Sequence, residues 1–112
     1  MSTKAKLTEA EFLAQVLQLA KLRGWRTAHF RPARTASGWR TPVQGDGKGF
    51  PDLLMIRGAR LVVAELKRDR KAKLTTEQAE WFWAWERMPL SSGVRVCVWT
   101  PSDWETIEGV LA

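Results

Sequence analysis

Three charged side chains stand at the ends of two short apolar runs. Asp52 precedes residues 53–56, and Glu65 and Lys67 follow residues 61–64. Two carboxylates held close raise each other's proton affinity, and desolvation makes both ionised forms costly. A divalent cation relieves both effects. Mg²⁺ takes hard oxygen ligands, binds through one or two carboxylates and keeps several waters. Such an ion can polarise a phosphoryl oxygen and turn a water into a nucleophile. Lys67 could orient or deprotonate that water, or neutralise charge in the transition state. Taken alone, Glu65-Leu66-Lys67 is more simply a solvated ion pair on a strand, which contributes little.

The chemistry requires elements that bring these groups together. The two runs are bounded by Pro51 and Gly58 and are joined by Arg57-Gly58-Ala59-Arg60, which predicts a hairpin buried on at least one face. Side chains alternate along a strand, so Glu65 and Lys67 share one face and Leu66 takes the other. In a hairpin turning near Gly58, the start of one strand lies beside the end of the other. Asp52 and Glu65 are therefore expected at one end of the sheet.

Around the hairpin, the spacing predicts a first helix from Thr8 to Gly24, with Phe12, Val16, Leu19 and Ala20 on one face. Thr8 and Glu11 have the spacing of a capping box, and Gly24 suits a helix end. Residues 25–30 read as a strand carrying His29, the one histidine. Residues 31–48 show no periodicity and hold Arg31, Arg34, Arg40 and Lys48 among prolines and glycines, as a loop contacting phosphates would. Residues 67–73 hold five positive charges in seven positions, among them Arg68, Arg70, Lys71 and Lys73. A second helix is expected from Thr75 to about Arg87, with Thr75 and Gln78 as a capping box. Trp81, Trp85 and Met88 should pack it on the sheet, and Trp83 lies off that face. Residues 94–100 alternate as a further strand, and Ser102 with Glu105 would cap a last short helix.

Pro51-Asp52 followed by Glu65-Leu66-Lys67 resembles the PD-(D/E)XK nuclease pattern, and Gly49-Phe50-Pro51-Asp52-Leu53 narrows the likeness to the VRR-NUC (virus-type replication-repair nuclease) branch. Residues 76–81 and 98–104 are similar to its single-domain phage and bacterial members. The likeness spans residues 11–112. It implies an α/β fold with an αβββαβ core, a mixed sheet flanked by helices. It also implies a Mg²⁺- or Mn²⁺-dependent DNA endonuclease, a homodimer resolving four-way (Holliday) junctions. In that family Asp52, Glu65 and the backbone carbonyl of Leu66 would hold the ion. An acidic residue early in the first helix, Glu11 by position with Glu9 in reserve, would complete the site. Gln78 would line it, and His29 would stand behind it. Capping of Thr8 and of Thr75 remains the alternative role for Glu11 and Gln78. A non-catalytic nucleic-acid-binding module, or a restriction- or homing-type endonuclease, is the alternative for the chain.

Composition sets the bounds. A chain of 112 residues is one domain, read as a basic tail over residues 1–7 and a nuclease domain over residues 8–112. Net charge is +6, which favours an acidic partner such as nucleic acid. Cys97 is the one cysteine, so no intramolecular disulfide forms and, with His29, soft ligands are too few for zinc. No apolar segment approaches the roughly 20 residues of a membrane span, and no signal-peptide core is visible, so the expectation is a cytoplasmic protein. For a phage-encoded chain that means the bacterial host's cytoplasm. Residues 45–49, Gly-Asp-Gly-Lys-Gly, lack the Gly-Lys-Ser/Thr ending and the following helix of a phosphate loop, which argues against a nucleotide cofactor.

Overall fold

The computed structural model describes residues 7–30, 33–35, 38–40, 45–89 and 92–112. Arg31 and most of the expected basic tail lie outside them. The elements run α1 (Glu9–Leu22), β1 (Arg26–His29), β2 (Ala33–Thr35), β3 (Gly38–Arg40), β4 (Leu53–Arg57), β5 (Arg60–Leu66), α2 (Thr76–Glu86), β6 (Val94–Trp99) and α3 (Trp104–Val110). The chain is a mixed α/β fold. Its main sheet has the order β1-β4-β5-β6, and β2 pairs with β3 in a separate two-stranded sheet. The expectation of an irregular segment over residues 31–48 is corrected by that pair. Strands of three residues each, flanked in sequence by Pro32 and Pro42, carry too few alternating residues to register as a period.

β4 and β5 are antiparallel, with Leu53 opposite Ala64 and Arg57 opposite Arg60. The turn holds two residues, and Gly58 takes φ +59° there, as a tight hairpin requires. β5 and β6 are parallel. A parallel pair needs a crossover, and α2 supplies it.

Alternation decides which face is dry. Leu53 and Met55 of β4 and Val62, Ala64 and Leu66 of β5 point into the core. They meet Phe12, Val16 and Ala20 of α1, Ile107 and Val110 of α3, and Leu111 just after it. Burying a side chain of this size contributes roughly 1.5–3 kcal/mol, so this layer holds α1 and α3 on the sheet.

The far end of the hairpin is tied down differently. The guanidinium groups of Arg57 and Arg60 stand 4.8 and 5.0 Å from the ring of Trp25. They donate to carbonyls at the end of α3, Arg57 to Ala112 at 2.6 Å and Arg60 to Val110 and Ala112. Trp25 Nε1 donates to Leu111 O at 3.0 Å. The last carbonyls of a helix lack intrahelical partners and carry partial negative charge, so cationic donors suit them.

α2 is attached without burying any residue. Trp81 and Trp85 are half-buried and stack on Phe50, which in turn meets Phe30 edge-on at 5.1 Å. Met88 is 42% exposed and Trp83 66% exposed. The expected packing of Trp81, Trp85 and Met88 on the sheet is thus corrected. The two tryptophans lean on the loop before β4, and Met88 faces solvent. Gly49 explains the close approach. A Cβ there would lie 2.5 Å from the Glu77 carbonyl carbon and 2.6 Å from the Gln78 nitrogen, and its φ is +83°.

The last helix also starts differently from the expected Ser102–Glu105 box. Asp103 accepts the N–H and the hydroxyl of Thr100, at 2.8 and 2.9 Å. A 3-10 turn over Pro101–Asp103 follows, and α3 begins at Trp104. Proline at the first position of that turn has no N–H to satisfy, which favours the earlier start.

Gly49→Ala is expected to destabilise the chain by about 2 kcal/mol or more, because backbone atoms must move as well as φ. Gly58→Ala meets no atom within 4 Å. Its effect should be confined to the left-handed strain, roughly 1–2 kcal/mol. Chemical denaturation of the two variants measures the difference.

Candidate metal and catalytic centre

The hairpin register builds the site. Leu53 faces Ala64 across the ladder, so Asp52 and Glu65, one residue further out on each strand, face each other at its open end. Asp52 Oδ2 accepts the backbone N–H of Leu66 at 2.8 Å. Leu66 itself is turned into the core, so Glu65 and Lys67 share the other face as the alternation requires. Lys67 Nζ stands 3.4 Å from Glu65 Oε2.

Gln78 completes the arrangement from α2. Its Nε2 donates to Glu65 Oε2 at 2.8 Å, and its Oε1 accepts from Lys67 Nζ at 3.0 Å. The same Oε1 accepts the N–H of Thr75 at 2.9 Å, while Gln78 N donates to the Thr75 hydroxyl at 3.2 Å. Capping Thr75 therefore does not keep Gln78 from contacting Lys67 and Glu65. One side-chain oxygen caps α2 and holds the lysine.

Glu65 is 3% exposed, and its Oε1 is buried without a hydrogen-bond partner among the described residues. A buried ionised oxygen with no partner is costly. Burial, with the Asp52 charge added to it, pushes the Glu65 carboxyl up to about 7. Asp52 is also raised, chiefly by burial, against the Leu66 N–H and the Lys67 charge. Two neighbouring carboxyl groups with raised proton affinity hold a proton more tightly unless a cation replaces it. The donor set fits a hard divalent ion held by Asp52 and Glu65, with water filling the remaining positions. No group of three or more His, Cys, Asp or Glu side chains is placed to hold a metal among the described residues, so the side-chain ligands would be two carboxylates, beside the Leu66 carbonyl expected as a third ligand.

Other expected residues fall as follows. Glu11 Oε1 accepts the Thr8 N–H at 3.0 Å, and Glu11 N donates to the Thr8 hydroxyl at 3.1 Å. Its carboxylate is engaged at the helix cap and is not brought to Asp52 and Glu65. The negative charge of Glu9, by contrast, adds to the raising of Asp52. His29 ends β1 opposite Leu53, exposed, one position from Asp52. Lys48 pairs with Glu77 at 3.1 Å. Arg70 pairs with Asp103 at 2.9 Å. Arg68, Lys71 and Lys73 are exposed in the loop after β5. Arg34 and Arg40 fall on β2 and β3, where Arg40 faces Ala33.

Two contributors were not read from the sequence. Phe50 anchors the loop to α2, and the aromatic run of α2 was the available signal. Asp103 orients Arg70, and Thr100-Pro101-Ser102-Asp103 was its signal, since Asp three residues after Thr is a capping spacing. Cys97 is buried enough for its thiol to be pushed up to about 11, the behaviour of a packed side chain rather than a nucleophile.

No protein-family model matches the sequence, and no curated protein matches it.

The raised Glu65 carboxyl fixes a pH dependence for the metal-free chain. The folded state binds this proton more tightly than the unfolded state, whose value is 4.5. Its contribution to stability is full below pH 4.5 and is lost as the pH rises through about 7. The metal-free protein should melt at a lower temperature at pH 8 than at pH 6. Glu65→Gln should flatten that difference, as thermal scans in EDTA across the range would show.

Proposed function

We propose that this chain is a Mg²⁺- or Mn²⁺-dependent DNA endonuclease with a PD-(D/E)XK core of the VRR-NUC kind. One observation carries the reading. A buried carboxylate oxygen of Glu65, without a hydrogen-bond partner among the described residues, lies beside a second raised carboxyl, and the Lys67 ammonium is held against Glu65. A helix, three antiparallel strands, a crossover helix and a fourth strand parallel to the third are the order expected of that core.

When bound, a divalent cation here would supply Lewis-acid stabilisation to a phosphoryl oxygen and a nucleophile drawn from water. Asp52 and Glu65 would hold it. The chain's own residues do the remaining work. Lys67, fixed by Glu65 and Gln78, places a positive charge where negative charge develops on the phosphate during displacement. A charge already in place needs no reorganisation when the reaction occurs. Gln78 keeps Lys67 and Glu65 in register with each other. Arg68, Lys71 and Lys73 extend the positive surface from the site along the loop, and each phosphate neutralised would steepen the salt dependence of binding. Action as a homodimer on four-way junctions follows from the family likeness. Two sites related by a two-fold axis would suit symmetric cuts.

The test is cleavage by one preparation of matched linear, single-stranded, flap, splayed-arm and four-way-junction DNA, with Mg²⁺, Mn²⁺ or EDTA. Metal-dependent cutting, strongest on the junction, is expected. Asp52→Asn should reduce the rate by at least about 10²-fold while leaving junction binding in EDTA intact, and Lys67→Met should reduce the rate at saturating DNA by a similar factor. Binding without cutting under every metal condition would reduce the chain to a binding module. Glu11→Gln keeps a side chain that serves a capping box, and it is expected to retain cleavage, whereas a direct ligand would not tolerate loss of its charge.

A further inference from the structure

Beside Lys67 lies an open cleft of about 410 Å³. Arg70, Thr100 and Asp103 line it together with Lys67. An arginine on a basic loop is ordinarily free to wander, and an exposed ion pair does little to hold it. Arg70 is held at two points. Its Nη2 donates to Asp103 Oδ1 at 2.9 Å, and its Nε donates to the Ser102 hydroxyl at 3.2 Å. Asp103 is fixed in turn, because its other oxygen accepts both polar hydrogens of Thr100. The Thr100 hydroxyl also meets that of Ser102 at 2.7 Å. The segment 100–103 thus forms a hydrogen-bonded seat for one guanidinium, whose side chain remains 74% exposed.

The seat leaves donors over. A guanidinium carries five N–H groups, and two of them are engaged among the described residues. An ammonium carries three, and Lys67 directs hydrogens to Gln78 and Glu65. Two anchored cations therefore border one cleft, each with N–H donors not engaged among the described residues. Asp69, the other carboxylate there, accepts the N–H groups of Lys71 and Ala72 and so closes its own turn.

The geometry points to a phosphate clamp: Arg70, positioned by Asp103, binds the backbone phosphate next to the one that Lys67 attends, so the substrate strand crosses the end of β6. The inference rests on the nuclease reading and adds to it the direction in which the strand runs. Arg70 is the binding residue and Asp103 a positioning residue acting through it. The seat also gives a task to the Thr-Pro-Ser-Asp segment, which the metal centre leaves unused.

The experiment uses the full chain and a cleavable DNA in which single phosphates flanking the cut are replaced by neutral methylphosphonates. In EDTA, wild type should bind about tenfold more weakly when one particular flanking phosphate is neutral. Arg70→Ala should bind the unmodified DNA correspondingly weakly and lose sensitivity to that position. Its log–log salt slope should be shallower by about 0.9, the loss of one phosphate contact. Asp103→Asn, which keeps the guanidinium but loosens it, should fall between the two in affinity with its salt slope unchanged. The loss should appear in KM, larger for Arg70→Ala than for Asp103→Asn. The clamp is overturned if the chain cuts DNA while Arg70→Ala keeps the wild-type salt slope and the wild-type methylphosphonate profile. Absence of cutting by wild type sinks the nuclease reading instead, so the two failures are distinguishable.

Discussion

The register of the β4–β5 ladder is the constraint on which the site depends. Leu53 faces Ala64, and from that single pairing Asp52 must face Glu65. A slip of one residue would turn Leu53 and Met55 out of the core and carry the two carboxyl groups apart. The register is held at both ends by different means. Burial of Leu53, Met55, Val62 and Ala64 fixes it along its length. At the turn, Arg57 and Arg60 enclose Trp25 and bind the last carbonyls of α3. Hydrophobic area thus works on behalf of two charges that would otherwise avoid each other.

Polar contacts join α2 to that frame, beside the aromatic contacts of Trp81 and Trp85 with Phe50. Gln78 links Lys67, Glu65 and Thr75 through one amide group. The loop leading to Asp52 is tied to the same helix by Phe50 on Trp81, by Trp81 Nε1 on Asp46 O at 3.0 Å and by Lys48 on Glu77. Gly49 lets that loop lie directly against the helix backbone. The loop that delivers one carboxylate and the helix that orients the lysine therefore form one unit.

Much of this was legible in the sequence, and the reasons are local. The hairpin, the Thr8 and Thr75 caps and the core face of α1 are set by short-range spacing, and they fall where periodicity puts them. Asp52 and Glu65 could be brought together on paper because a two-residue turn leaves the register little choice. What could not be read is tertiary. Periodicity says that Trp81 and Trp85 share a face, but not that the partner is Phe50 rather than the sheet. Glu11 and Glu9 are both acidic residues of the first turn, and only the folded chain assigns one to the cap and brings the other's charge to bear on Asp52. The Thr100 box was missed because Ser102 and Glu105 offered the same spacing two residues later, and Pro101 tipped the choice.

The absence of a buried residue in α2 has a consequence for how the molecule comes apart. Elements with few apolar anchors open at lower free energy than the core that supports them. Trp81, Trp85 and Gln78 would leave their places while α1, α3 and the sheet remain folded. Heating would then disarm the centre before it melts the scaffold. Amide exchange would report two tiers of protection within a chain of 112 residues.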